Sequence, residues 1–548
     1  MGAASGAGPD LLIVSPGNNQ AIYQALAQEH AAIEPPIWAG MLAGHARARG
    51  FSVEIVDQEA EGLAVDEIAE RVDRERPKLT AVVVYGQQPS ASTQNMTVSH
   101  AICDAVHQRS PESKTIMIGG HPSALPERTL AEGMVDFVCQ GEGPATLDAL
   151  LAADDLDDAA TLRKVPGLWF RRQDVGWAVP TDAQRTALPV AVGHSPPYQN
   201  GKFEFTFPAG MIPESDLARE LPGVAWDLLP MSAYRAHNWH CFAHIHDRQP
   251  YASIYTSLGC PYKCTFCCIN APFEKRTIRC WEPSFVIEQL DALANDYGVK
   301  NVKIADEMFV LNERHVLELC DRIIERGYDF NFWAYARVDT VKEKFLEKLK
   351  AAGFNWLCLG IESSSKHVRD GVSKGRYGEE EIVDTVRRIR DAGICVIGNY
   401  IFGLPDDDYD SMTATRDLAL ELNCEMANFY SGMAYPGSDL YRMAVERGWE
   451  LPAEWRDFSQ HSYATLPLPT EHLTAGEVLG FRDYAWQKYF TSPRYLELLR
   501  ETFGQDVVEH VTRLTTIKLD RKYAVEFRPS NQRSAVSGQQ VCDAPIRQ

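Results

Sequence analysis

The chain has 548 residues, 45% hydrophobic and 24% charged, with 75 Asp and Glu against 54 Lys and Arg and a formal net charge of −21. That length exceeds a single hydrophobic core and predicts two or three soluble domains, while the acidity argues against a nucleic-acid or anionic-membrane partner, which would need a basic footprint. No basic-then-apolar leader opens the sequence and no run of 18 apolar residues occurs in it, so a cytosolic protein is expected, with Cys103, Cys320, Cys358 and Cys424 as reduced core thiols.

Strand-like apolar runs recur at residues 11–15, 51–57, 79–85, 115–119 and 135–139, and helix-length stretches such as 37–49 and 65–74 lie between them. The alternation over about 140 residues predicts an α/β doubly wound (Rossmann-like) parallel sheet across residues 10–152, which binds its ligand beyond the carboxyl ends of the strands. Those ends carry Ser15-Pro16-Gly17, the segment 85–93, Gly119-Gly120-His121 and Gly141-Glu142-Gly143. Glycine and small hydroxyl residues there let backbone approach a flat, polar-edged ligand. Asp57 sits where a ribose-binding acid would, but the first strand is not followed by the Gly-x-Gly-x-x-Gly of a dinucleotide site.

Residues 153–248 break the periodicity and read as a linker, with Pro189, Pro196, Pro197, Pro208, Pro213 and Pro222 and an acidic run at 154–158. Residues 165–170 and 176–179 are expected to form a small hairpin. The aromatic and histidine-rich stretch 234–242 reads equally as a site wall at a domain interface or as packing.

Cys260, Cys264 and Cys267 then appear as Cys-x3-Cys-x2-Cys, with Phe266 before the third. Thirteen cysteines in this length would produce that spacing by chance less than about once in a hundred such chains. Three thiolates fill three corners of an iron–sulfur cluster that needs four ligands, which leaves one iron open to chelate something else. A structural zinc site would offer a second cysteine pair at knuckle spacing, and none follows. Cys268 reads as a non-ligand, because adjacent residues rarely point at one metal.

Strand candidates at 252–257, 301–306, 331–336, 356–361, 395–402 and 426–432 alternate with helices such as 283–297 and 315–326. Six such units over residues 249–450 predict a partial (β/α)6 barrel with its chemistry at the carboxyl ends of the strands. Asp306-Glu307, Arg337, Glu362-Ser363 and Gly403 fall at that level. A helical C-terminal cap is expected at 451–528, with the rings of Phe458, Tyr463, Tyr484, Trp486, Tyr489, Phe490 and Tyr495 mostly in its core, and a disordered polar tail at 529–548.

The cysteine run resembles the cluster loop of the radical S-adenosylmethionine (SAM) enzymes. Pro35-Pro36 ahead of a helix, Gly119-Gly120-His121 with Pro126-Glu127, and Asp136 ahead of Gly141-Glu142-Gly143 resemble the cobalamin-binding domain that precedes the barrel in class B members. The resemblance implies three cofactors: a [4Fe-4S] cluster on Cys260, Cys264 and Cys267, SAM and cobalamin. SAM contacts are then expected at Asp306, Glu307, Arg337, Glu362, Ser363 and Gly403, and cobalamin contacts at Gly86, Gln87, Ser90, Ser92, Gly119, Gly120, His121, Gly141, Glu142 and Gly143. No Asp-x-His-x-x-Gly occurs, so no histidine is expected on cobalt; His45 reads as a surface helix residue and His121 as the one histidine well placed in a loop. The implied activity is methyl transfer to an unactivated carbon of a small-molecule, natural-product or sugar-like substrate, through SAM cleavage to a 5′-deoxyadenosyl radical, with electrons from a flavodoxin or ferredoxin-type donor. A cyclase or rearrangement enzyme with the same cofactors carries the same motifs. No catalytic side chain and no substrate is legible.

Overall fold

The computed structural model describes residues 8–17, 19–27, 31–86, 88–172, 202–525 and 527. In the first sheet, β1 (Leu11–Ser15), β2 (Val53–Asp57), β3 (Leu79–Val84), β4 (Thr115–Gly119) and β5 (Phe137–Cys139) pair in parallel in the order β2-β1-β3-β4-β5. Leu11 and Ile13 of β1 point into one apolar core and Leu12 and Val14 into the other, so both faces are covered, as a parallel sheet requires. The order reverses beside β1, and the loops after β1 and β3 open on the crevice that such a reversal creates.

Two antiparallel strands, β6 (Leu168–Arg171) and β7 (Phe203–Phe205), extend this sheet past β5. The expected hairpin is thereby corrected: β6 pairs with Phe203–Phe205, while residues 176–179, Pro189, Pro196 and Pro197 lie outside the described residues, as do Gln87 and the tail 529–548. His45 is also not a surface residue. It is fully buried, with Nε2 2.8 Å from Asp148 Oδ1 and Nδ1 2.6 Å from the Glu220 carbonyl; the guanidinium of Arg49 pairs with the Asp148 and Glu220 carboxylates at 2.6 Å each.

The second sheet runs β8 (Tyr251–Ile254), β11 (Asn301–Ile304), β12 (Asn331–Arg337), β13 (Phe354–Glu362), β14 (Cys395–Phe402) and β15 (Met426–Ser431), all parallel, with β8 and β15 as open edges. Helices return the chain between strands. In Glu313–Arg326, Asn312 caps the first turn through His315 N, Gly327 ends the last at φ +66°, and Val316, Leu319, Cys320 and Ile323 form one buried stripe; this is helical spacing with ordinary start and stop signals. Between β8 and β11 a two-residue antiparallel pair, β9 (Ser257–Leu258) with β10 (Arg279–Cys280), pins both ends of the cysteine loop.

Three helices, Ala475–Phe490, Pro493–Phe503 and Gln505–Thr516, cap the β15 side. Not all of the expected cap belongs to one core. Trp455 and Phe458 pack with the first sheet, where Trp455 Nε1 donates to Glu132 at 2.6 Å. Tyr463 is exposed, and Trp486 and Phe490 face a cavity. No helix of the described residues is long and apolar enough to cross a membrane.

Candidate functional site

Cys260, Cys264 and Cys267 line a cavity of about 200 Å³ where the barrel mouth meets the first domain. The loop is tied down on several sides: Cys267 N donates to Cys264 O at 3.1 Å, Thr265 N to Val372 O at 3.1 Å, Leu440 N to Thr265 O at 2.8 Å, and Asn270 Nδ2 to Cys260 O at 3.1 Å. Gly259 enters it at φ +84°, and a Cβ there would lie 2.5 Å from Thr277 O, so only glycine passes. Cys268 is buried and also lines this cavity.

The predicted SAM contacts separate into two groups. Glu307 lines the cavity, accepts Gly259 N at 3.1 Å, and its carboxyl is pushed up to about 8, chiefly by burial. Asp306, one residue away, lines neither cavity. Its carboxylate accepts from Thr256 N, Thr256 Oγ1 and Ser257 Oγ at 2.5–2.7 Å, clamping β8 to β11, and it does not pair with Arg337. Arg337 lines the cavity, lies 3.7 Å over the Tyr262 ring and 3.5 Å from Cys264 Sγ, and pairs with Asp339 at 2.9 Å.

Glu362 lies in the left-handed region at φ +65° and its Oε1 accepts from Lys374 Nζ at 2.5 Å; of the two, it is the lysine that lines the cavity. Ser363 is fully buried against Thr415 Oγ1 at 3.1 Å and lines no cavity. Gly403, at φ +77°, is the contact point of the cap: a Cβ there would lie 2.4 Å from Val478. Asp306 and Ser363 are thus engaged by neighbouring side chains and Gly403 by the cap, and none of the three lines either cavity; which strand-end residues meet a protein partner could not be read before the neighbouring strands were known.

In the first domain, Gly86, Ser92, Gly120 and His121 line the small cavity, and Gly86 and Ser90 a larger one of about 720 Å³. Gly86 turns at φ +70° and a Cβ there would lie 2.4 Å from that of Ala91, so the turn leaves no room for a side chain. Ser92 Oγ accepts His121 N at 2.9 Å. His121 is in the helical turn Gly120–Ala124, not a loop; it is buried edge-on to Trp455 with Nδ1 3.2 Å from Thr93 Oγ1, and burial holds it well below the usual histidine range.

Gly119 packs β4 against β3, and Gly141 and Gly143 turn the chain at φ +136° and +107° without reaching either cavity. Glu142 is likewise diverted: it pairs with Arg279 of β10 at 2.7 Å and accepts Ile212 N. Asp57 caps the turn Gln58–Glu61 and accepts the Tyr234 hydroxyl at 2.9 Å. His237, Asn238, Trp239 and Phe242 wall the large cavity, so the stretch 234–242 serves both the site and the packing.

Sequence reasoning missed Glu34, Lys303 and Lys374, and within the segment 85–93 it singled out neither Tyr85 nor Gln88 as a contact; all five line a cavity. Lys303 carried a usable signal, being the charged residue inside an apolar barrel strand; it meets Glu34 at 3.2 Å. The arrangement suits its expected occupants. Three sulfur ligands share one cavity, and the buried Tyr85 Oη and His121 Nε2, each without a protein partner, belong to residues lining the cavities, where a ligand with amide edges would satisfy them.

A family model described as "B12 binding domain" matches residues 23–151, and one described as "Radical SAM superfamily" matches residues 254–419. An uncharacterized methyltransferase of Pyrococcus horikoshii is 27% identical over 503 residues, covering 91% of this chain and 95% of the relative. The anaerobic magnesium-protoporphyrin IX monomethyl ester cyclase of Rubrivivax gelatinosus is 23% identical over 480 residues, 87% of this chain and 77% of the relative. Among solved structures, the radical SAM methyltransferase TsrM from Kitasatospora setae, with cobalamin and [4Fe-4S] cluster bound, superposes with a TM-score of 0.58 at 19% identity over 80% of this chain and 75% of that one. The cobalamin-dependent enzyme OxsB with aqua-cobalamin gives 0.54 at 18% over 80% and 55%.

Proposed function

Because the chain belongs to the class B, cobalamin-dependent radical SAM enzymes, with a [4Fe-4S] cluster, SAM and cobalamin as its cofactors, we propose that it is a C-methyltransferase acting on an unactivated carbon of a small molecule, natural-product or sugar-like in kind. The observation that carries this reading is the wall shared by the two cavities. Tyr85, Gly86 and Gln88 of the first domain and Phe266 and Tyr335 of the barrel line both, so ligands held by the two domains would face one common space. Transfer of a group to a carbon activated in the same turnover requires that adjacency.

When bound, the cluster with SAM supplies radical hydrogen abstraction and cobalamin the methyl group. The chain's own share is binding, orientation and exclusion of water. Cys260, Cys264 and Cys267 would hold the cluster and Glu307 the ammonium of SAM; Gly86, Ser90, Ser92, Gly120 and His121 would lie along cobalamin. The rings of Tyr85, Trp38, Tyr255 and Tyr335, with Trp38 stacked on Tyr85 at 4.2 Å, would help to keep water from the common space once the cofactors are bound. The cap helices, which close the large cavity with Trp486 and Phe490, would select the substrate. A flavodoxin or ferredoxin-type protein would supply the electrons.

The similarity to the anaerobic cyclase over 87% of this chain supports a second reading, ring formation without methyl transfer. The test is to incubate the reconstituted protein with metabolite extracts and methyl-labelled SAM and to count products. Methylation predicts label in the product, with one 5′-deoxyadenosine and one S-adenosylhomocysteine per turnover. Deoxyadenosine formed in step with an unlabelled product, without S-adenosylhomocysteine, would reject methylation and favour the cyclase.

A further inference from the structure

In the cap, two arginines share one acid. Arg482, on the helix Ala475–Phe490, and Arg521 both pair with Asp483, at 2.7 and 3.0 Å, and each side chain is 7% exposed. Among the described residues neither forms an ion pair with another carboxylate. A guanidinium carries five N–H donors, and the two arginines use theirs differently. Arg521 directs four of them, Nε and Nη2 to Asp483 and Nη1 to the carbonyls of Gln460 and Ser462, and it lines neither cavity. Arg482 directs two, Nε to the Phe429 carbonyl of β15 at 2.8 Å and one Nη1 hydrogen to Asp483, and it lines the large cavity. Its Nη2 group and its other Nη1 hydrogen have no acceptor among the described residues.

Nothing else on the cavity wall supplies the missing negative charge. The other acids that line it are engaged elsewhere: Asp57 by the Tyr234 hydroxyl, Glu59 by Asn19 N and Glu34 by Lys303. His461, on the same wall, is pushed well below the usual histidine range by burial and by the guanidiniums of Arg482 and Arg521, so its ring is a neutral neighbour. Gln460, whose carbonyl accepts from Arg521, also lines the cavity, and its buried Oε1 has no partner. A cation removed from water with half of one acid for company is costly unless a further group pairs with it.

We propose that the substrate carries an anionic group, a carboxylate or a phosphoryl, and that Arg482 meets it, with Asp483 as the positioning residue that fixes the guanidinium. A fork of unused N–H donors matches the paired oxygens of either anion, and Gln460 Oε1 accepts from a hydroxyl or N–H beside it. The inference rests on the reading of the large cavity as the place where the cap selects the substrate. Cobalamin carries a phosphate as well, but Arg482 stands on the cap and is bonded to the barrel strand β15, not to the cobalamin domain, which assigns the anion to the substrate.

The experiment titrates two probe anions, benzoate and inorganic phosphate, calorimetrically into the full chain reconstituted with cluster and cobalamin, with cobalamin affinity and thermal midpoint measured in parallel. Loss of a charge-assisted fork predicts roughly tenfold or weaker binding of at least one probe in Arg482→Met and Arg482→Gln, with recovery to within about threefold in Arg482→Lys. Equal binding in wild type and variants, or no binding of either probe to the wild type, would overturn the proposal. A tenfold loss of cobalamin affinity in the same variants would give Arg482 to the cobalamin phosphate and overturn the assignment to the substrate. A second arm needs no variant, and it decides the matter should the Arg482 variants fail to fold. The product labelled from methyl-labelled SAM in metabolite extract should be retained on an anion exchanger at pH 8. A labelled product that passes through uncharged would overturn the anion site and leave methylation standing, whereas Arg482-dependent binding of the probes with no labelled product in any extract would reject methylation and leave the anion site standing.

Discussion

Arg279 of the barrel and Glu142 of the first domain are joined by two contacts, Nη2 to Oε1 at 2.7 Å and Nη1 to Oε2 at 3.2 Å, with side chains 4% and 3% exposed. This pair locks the end of the cysteine loop to the loop after β5. Replacing Glu142 by Ala would leave a buried guanidinium uncompensated and should cost roughly 3 kcal/mol or more. The double replacement Glu142→Leu with Arg279→Met should recover most of that loss, as measured by urea unfolding of the apo-protein. Equal losses in the single and double variants would mean that packing, and not charge, holds the interface.

Replacing Cys260, Cys264 or Cys267 singly by Ala should abolish cluster retention and SAM cleavage, since two thiolates hold a cluster poorly. Cys268→Ala should retain both. Iron and sulfide content after anaerobic reconstitution gives the answer directly, and a Cys268 variant that loses its iron while Cys267→Ala keeps it would exchange their roles.

Cobalamin should bind with no histidine on cobalt. His45 is spent on Asp148 and the Glu220 carbonyl, and His121 is wedged against Trp455 with its ring centre 4.4 Å away. The paramagnetic resonance spectrum of the cob(II)alamin form should lack nitrogen superhyperfine splitting. A triplet that disappears in His121→Ala would make His121 a ligand.

Asp407 accepts Gly403 N and Leu404 N at 3.0 Å and Ser411 Oγ at 2.6 Å, yet burial pushes its carboxyl up from 3.8 to about 7. The folded chain therefore binds this proton more tightly than the unfolded chain, and the stability it contributes at acid pH is lost as pH rises from about 4 to about 7. Asp407→Asn removes the titration, so the fall in urea midpoint between pH 5 and pH 8 should be smaller in the variant than in the wild type. An identical fall would show that Asp407 ionises normally.

Gly403→Ala should destabilise the cap, because φ is +77° and the new methyl would lie 2.4 Å from Val478; a loss of roughly 1 kcal/mol or more is expected. Faster proteolysis within the helices 475–516, at unchanged iron content, is the measurement that checks it.

Strand and helix order, the doubly wound and barrel architectures and the family were legible because each depends on local periodicity or on a short spaced motif. Three cysteines within eight residues reach one cavity whatever surrounds them, provided the loop is pinned. Individual contacts were much less legible. Glu142, Asp306 and Ser363 stand at strand ends as a ligand contact would, but an acid or hydroxyl at such a place also serves to tie one element to the next. Only its partner distinguishes the two uses, and Arg279, Thr256 and Thr415 lie 137, 50 and 52 residues away.

Sequence by itself determined that this chain builds two α/β sheets, that a cluster loop follows the first barrel strand, and that a glycine-rich crevice precedes it; each follows from backbone periodicity, glycine geometry or thiol spacing over a few tens of residues. Tertiary structure alone decided that Lys374 stands in front of Glu362, that Lys303 meets Glu34 across the domain boundary, that Trp455 returns to the first domain, and that Tyr85, Gly86, Gln88, Phe266 and Tyr335 divide two cavities between them. Those relationships are long-range pairings fixed by burial: a charge or ring removed from water takes whichever partner the packed fold brings within reach, and nothing local encodes which one that is.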